Sequence, residues 1–129
     1  MVVLVLHLVF GATQCSAQLV PPFRTVMTDL GAVKGGLLGD NSVVYTFHNV
    51  PFGAPTTGKA RFTYPVSALP WDDVLDCATK EGAVLDDPKR CYSDFEGGGS
   101  EDCLYLHVYV PANAKPDSKL PVLFWLYGG

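Results

Sequence analysis

The sequence has no basic run. Nine Lys and Arg residues are dispersed along 129 positions against 13 Asp and Glu, for a net charge of −4. Nucleic acid and anionic membrane surfaces are therefore not expected as partners. No apolar stretch reaches the roughly 20 residues of a spanning helix, so no membrane span is expected. No C-x-x-C pair occurs, so neither a zinc site nor a catalytic cysteine is expected, and no metal or cofactor is implied. No N-x-S/T triplet offers an N-glycosylation acceptor. There is no internal repeat and no low-complexity tract. The most consequential lack is of amphipathic helices: nowhere do apolar residues recur convincingly at helical spacing.

What is present is mostly strand and proline-rich loop. Residues 1–17 read as a secretory signal peptide: Val2 to Ala12 is apolar apart from His7, and Cys15-Ser16-Ala17 supplies small residues for a cleavage site. Cleavage would leave 18–129, with Cys77, Cys91 and Cys103 as an odd set in a secreted, extracellular chain. Arg24 to Lys34 alternates weakly and suggests a strand ending in a tight turn at Gly35-Gly36. Gly39-Asp40-Asn41-Ser42 is turn chemistry, and Val43 to His48 is β-branched and aromatic, a second strand. Pro51, Pro55, Pro65 and Pro70 make 50–70 a long loop, because proline removes a backbone donor and fixes φ. Trp71 to Lys80 has room for one or two helical turns, with Val74 and Leu75 as a weak apolar face. Residues 86–100 form a further loop, in which Asp86-Asp87, like Asp72-Asp73 earlier, reads as solvated. Leu104 to Val110 alternates cleanly, with Leu104, Leu106, Val108 and Val110 on one side and Tyr105, His107 and Tyr109 on the other. Pro121 to Tyr127 is apolar on both faces, as in central strands covered by helices on both sides. A strand of that kind without helices to cover it implies that 18–129 is the N-terminal portion of a larger domain, with the covering helices after residue 129.

Ser100-Glu101-Asp102-Cys103-Leu104-Tyr105-Leu106 closely resembles the E-D-C-L-x-L signature of the type-B carboxylesterases, the family of cholinesterases, bile-salt lipase and insect esterases. Other segments fall in the same order. Thr28 to Gly35 resembles the family's first hairpin, and Phe47 to Phe62 its F-x-G-I-P-[YF]-A-x-P-P-x-G-x-x-R-F block. Trp71 to Thr79 is similar to W-x-G-V-x-D-A-T, and Leu120 to Gly129 to the strand leading into its H-G-G-G or Y-G-G-G loop. Asn49 stands where Gly is usual, Gly53 for Ala, Thr56 for the second Pro, and Cys77 for Ala. Tyr127 stands for the more frequent His.

The resemblance implies an α/β fold, here the N-terminal strands of an α/β-hydrolase sheet with few helices. It implies a small-molecule ester substrate, attacked by a serine to give an acyl-enzyme that water hydrolyses. Gly128 and Gly129 fall in the oxyanion loop, where glycine lets backbone N–H groups approach the developing oxyanion. The family's donors are the second and third glycines of the run, and Gly129 is the second. Arg61 and Glu101 resemble the family's buried structural ion pair, a bidentate contact pinning the proline-rich loop to the start of the strand. A disulfide is implied on Cys103. Lys89-Arg90-Cys91 resembles the lipase-like members and favours Cys91 as partner, while Cys77 would close a longer loop. The short 91–103 loop argues mildly against a quaternary ammonium substrate, since it has no long tryptophan-bearing insertion. No triad residue is expected in 1–129. G-x-S-x-G does not occur, and the family's Ser, Glu/Asp and His all follow the oxyanion loop, which leaves His48, His107 and Asp102 as structural or surface residues. The same resemblance extends to non-catalytic adhesion proteins of the neuroligin and glutactin kind, which keep the fold and lose the triad. The residue at the nucleophile elbow separates the two classes.

Overall fold

The computed structural model describes residues 20–39, 43–78, 89–93 and 98–126. The expected signal peptide, most of the 39–42 turn, the Asp86-Asp87 pair and the oxyanion glycines Gly128 and Gly129 lie outside the described residues.

Strands β1 (Phe23–Thr28) and β2 (Gly31–Leu37) form an antiparallel hairpin with Thr28 opposite Gly31. Asp29 and Leu30 make the reversal. The Thr28 hydroxyl donates to the Gly31 carbonyl at 2.7 Å and accepts the Leu30 N–H at 3.2 Å. Gly31 has φ 145°, and a Cβ there would sit 2.5 Å from the Trp71 indole nitrogen. Trp71 closes over the turn, its indole N–H donating to the Ala32 carbonyl at 2.8 Å.

The turn expected at Gly35-Gly36 is corrected: both glycines lie inside β2. A Cβ on Gly35 would meet the Thr46 carbonyl oxygen at 2.6 Å and the Phe47 ring at 2.8 Å. The glycine allows close approach to β3 (Val44–Pro51) rather than a reversal.

The helical turns expected in Trp71–Lys80 are also corrected over the described residues 71–78. Leu75–Asp76 is a short strand, β4, paired parallel with Val33 and Lys34 of β2. The working period is two: Leu75 and Cys77 turn toward the core, while Asp76 points out to Lys34 at 2.7 Å. The Cys77 N–H donates to the Lys34 carbonyl, and the Cys77 carbonyl accepts the His48 N–H, each at 2.8 Å.

β3 pairs with β5 (Tyr105–Pro111) antiparallel, from Val44 opposite Pro111 to Pro51 opposite Tyr105. The strand order is β1-β2-β3-β5, with β4 beside β2. Among the described residues the helical content is one 3-10 turn, Gly58–Ala60, in the expected proline-rich loop. The result is the strand-rich portion of an α/β sheet that the sequence implies.

The core is small. Val33, Tyr45, Phe47 and Cys77 cluster on one face, with Trp71, Leu75 and Val110 packed against them. On the other face Thr46 is fully buried. β3 is therefore covered on both sides and is the centre of the sheet.

The expected strand at Pro121–Tyr127 is not formed over 121–126, which has no regular secondary structure and no ladder partners among the described residues. Val122 and Leu123 are about nine-tenths exposed. Apolar sequence supplies faces to bury, but a strand also needs a neighbour for its N–H and C=O groups.

Candidate functional site

Of the residues singled out by sequence, Arg61, Glu101, Cys91 and Cys103 meet at the neck of the 91–103 loop, just before β5. Cys91 and Cys103 are joined by a disulfide with Cα atoms 4.9 Å apart. The alternative bond from Cys77 is excluded: that thiol is free and buried in the core. Burial, and then the neighbouring Asp76 charge, push the Cys77 thiol up to about 11, which makes it an inert core group. Backbone bonds support the neck, with the Ser100 N–H donating to the Arg90 carbonyl at 2.8 Å. Gly99 has φ 135°, and a Cβ there would sit 2.6 Å from the Cys91 carbonyl oxygen, so the loop folds back only with glycine.

Arg61 Nε lies 2.7 Å from Glu101 Oε1. The pair is not buried as the resemblance implied, since the Arg61 side chain is 60% exposed. Water screens it, and its worth is at most about 1 kcal/mol rather than the several of a buried pair. It still ties the proline-rich loop to the start of β5. Thr56 reinforces the tie by donating its hydroxyl to the Glu101 carbonyl at 2.6 Å.

The sequence did not reveal a second network at this neck. Lys89 Nζ donates to Asp102 Oδ2 at 2.8 Å and to the Tyr105 hydroxyl at 3.1 Å, and that hydroxyl donates to Asp102 Oδ1 at 2.9 Å. The Lys89 ammonium also sits 4.7 Å from the centre of the Tyr105 ring. The hydrogen bond from Lys89, aided by that from Tyr105, holds the Asp102 carboxyl below the usual range. The same contacts hold Lys89 above its own. The available signal was positional: Lys89 precedes Cys91 by two residues, and Asp102 immediately precedes Cys103.

The neck borders a cleft of about 360 Å³ lined by His48, Asn49, Cys77, Lys89 and Tyr105, among others. A β-bulge between Phe47 and Val50 shapes its rim. Asn49 has φ 56°, the left-handed region that Gly favours and Asn tolerates. That explains why the family's usual Gly could become Asn here. The Asn49 N–H donates to His107 Nδ1 at 3.2 Å. The His48 ring lies 4.8 Å from that of His107 and 5.9 Å from that of Tyr109. Both histidines shape the bulge. Among the described residues no group of three or more His, Cys, Asp or Glu side chains could hold a metal ion.

A family model described as the carboxylesterase family matches residues 22–129, the stretch that contains the sheet, the neck and the two glycines. The chain belongs to the carboxylesterase family. It is 41% identical to acetylcholinesterase of Electrophorus electricus over 118 residues, covering 84% of this chain and 18% of that protein. It is 43% identical to human carboxylesterase 5A over 115 residues, covering 79% of this chain and 20% of the relative. Among solved structures, a PNB esterase aligns with TM-score 0.65 and 34% identity, over 82% of this chain and 20% of the other. A carboxylesterase of Geobacillus stearothermophilus aligns with TM-score 0.60 and 30% identity, over 81% of this chain and 19% of the other. The chain thus spans about a fifth of the length of the relatives it matches. In this carboxylesterase segment the described residues supply scaffold: a sheet, a cross-linked neck and a cleft rim. No helix of the described residues is long and apolar enough to cross a membrane.

Proposed function

We propose that this chain is the N-terminal part of a secreted serine carboxylesterase that cleaves small-molecule carboxylic esters through an acyl-enzyme. The carrying observation is the family match running unbroken from residue 22 to 129, together with a sheet that aligns on esterase structures. In this reading residues 1–17 are a cleaved signal peptide, and Gly128 and Gly129 belong to the oxyanion loop, with the Gly129 N–H as a donor. A backbone amide held there meets the carbonyl oxygen as it becomes negative, when the stabilisation lowers the barrier most. The segment's own part is to position that loop. In this reading the neck anchors one wall of the substrate gorge.

The 129-residue chain holds no G-x-S-x-G serine, so alone it should not turn over esters. In the full-length enzyme, Gly129→Val should displace the donor amide. The expected result is a fall in kcat for a p-nitrophenyl ester of about 100-fold or more with little change in KM. An unchanged kcat would remove Gly129 from the oxyanion hole. Absence of any turnover by the full-length wild type would favour a non-catalytic adhesion protein on the same scaffold.

A further inference from the structure

The chain has to choose between cysteines. Among the described residues of this segment there are three cysteines, and one pairing forms, Cys91 with Cys103. Chain statistics do not dictate that choice. Cys91 and Cys103 are 12 residues apart. Cys77 and Cys91 are almost as close in sequence, so loop closure prefers the native pair by only about 1.3-fold. Against Cys77–Cys103 the preference is about 3-fold. Something besides loop length must bring Cys103 to Cys91.

We infer that the Lys89–Asp102–Tyr105 network is a pairing clasp that brings Cys91 and Cys103 together before their disulfide forms. Its two charged members flank the two cysteines, Lys89 two residues before Cys91 and Asp102 one residue before Cys103. At 2.8 Å, the ion pair closes a loop that overlaps that of the disulfide, shifted by one to two residues toward the N-terminus. Tyr105, bonded to both charges, makes the clasp three-membered and ties it to the first residue of β5. The Ser100-to-Arg90 backbone bond completes the approach.

The clasp also biases the chemistry. Exchange requires a thiolate. Lys89 and Arg90 stand just before Cys91 in sequence, whereas at Cys77 burial and then the charge of Asp76 disfavour a thiolate. In the balanced reaction, the Cys91 thiolate attacks the mixed disulfide formed between Cys103 and a low-molecular-weight thiol. The protein S–S bond forms as the small thiolate departs and takes up a proton. The oxidant is the disulfide form of that thiol. Once β4 pairs with β2, Cys77 is enclosed and leaves the competition.

The test is oxidative pairing of the full chain, reduced and then transferred to a glutathione redox buffer. Free thiols are trapped with an alkylating reagent at intervals, and linkages are mapped by peptide mass. Lys89→Met should slow formation of the Cys91–Cys103 bond roughly two- to five-fold, the range of a partly exposed ion pair. It should also raise the early share of Cys77–Cys91. Lys89→Arg should restore both rate and pairing. Molar salt should slow the wild type toward the Lys89→Met rate and leave that variant unchanged. Because pairing is read at early times, the result does not depend on the variant reaching a stable fold. Wild-type rate and pairing in Lys89→Met would overturn the inference. So would equal slowing by Met and Arg, which would make the effect steric rather than ionic.

Discussion

The β2–β3 core and the loop neck at β5 lie side by side, and they are held by opposite means. The core uses burial and close backbone approach: Phe47 and Tyr45 are 4% and 3% exposed, and Gly35 lets β3 lie against β2. The neck has little to bury. It relies on cross-links that can each be named: Cys91–Cys103, Arg61–Glu101 and the Lys89–Asp102–Tyr105 network. A region with few covering side chains can hold a precise loop through directional contacts, while a central strand depends on volume. Solvent weakens the ionic cross-links, so the covalent one should dominate the neck.

The largest effect expected from this contrast is in the core. Phe47→Ala should cost about 3–5 kcal/mol of unfolding free energy in denaturant titrations. A cost below 1 kcal/mol would mean the core is not the organising element. Replacing both Cys91 and Cys103 by Ser should cost about 3 kcal/mol, the loop-closure entropy returned to the unfolded chain. Gly35→Ala should cost about 1–3 kcal/mol, because the new methyl meets the Thr46 backbone, which cannot swing aside. Arg61→Ala should cost less than about 1 kcal/mol, since its side chain is mostly in water. Several kcal/mol there would break the comparison by making the neck as dependent on buried charge as the core is on buried volume.

The Lys89–Asp102 pair sets the pH window of the neck. The Asp102 carboxyl is held down by Lys89, so its contribution is present above the unfolded value of about 3.9 and is lost as pH falls through the folded value. Lys89 is held up, so the contribution of the same pair is full below about 10.4 and is lost as pH rises through its folded value. Between these limits the pair's contribution should be flat with pH. Asp102→Asn should remove the acid-limb loss attributable to this pair, by less than about 1 kcal/mol.

The legible features were those whose chemistry is local. Glu101-Asp102-Cys103-Leu104 marks the start of a strand, and the alternation after it places β5 almost to the residue. The features missed depend on what lies across the sheet. Gly35-Gly36 looks like a turn until Phe47 is placed against it. Cys77 looks like a disulfide candidate until β4 carries it into the core. Trp71 to Lys80 has weak helical periodicity, which strand pairing with Val33 and Lys34 overrides. Residues 121–126 carry the sequence of a buried strand, but find no ladder partner among the described residues. Lys89 and Asp102 were 13 positions apart with no local pattern to join them, so their contact became visible only with the neck in place.

The most direct measurement on the proposed function is a rapid-mix burst experiment with p-nitrophenyl acetate on the full-length protein. The account predicts p-nitrophenol released in a burst approaching one equivalent per polypeptide, followed by slower turnover, as an acyl-enzyme builds up and is hydrolysed. A full-length protein that is folded, with Cys91–Cys103 formed, and yet shows neither burst nor turnover would contradict it.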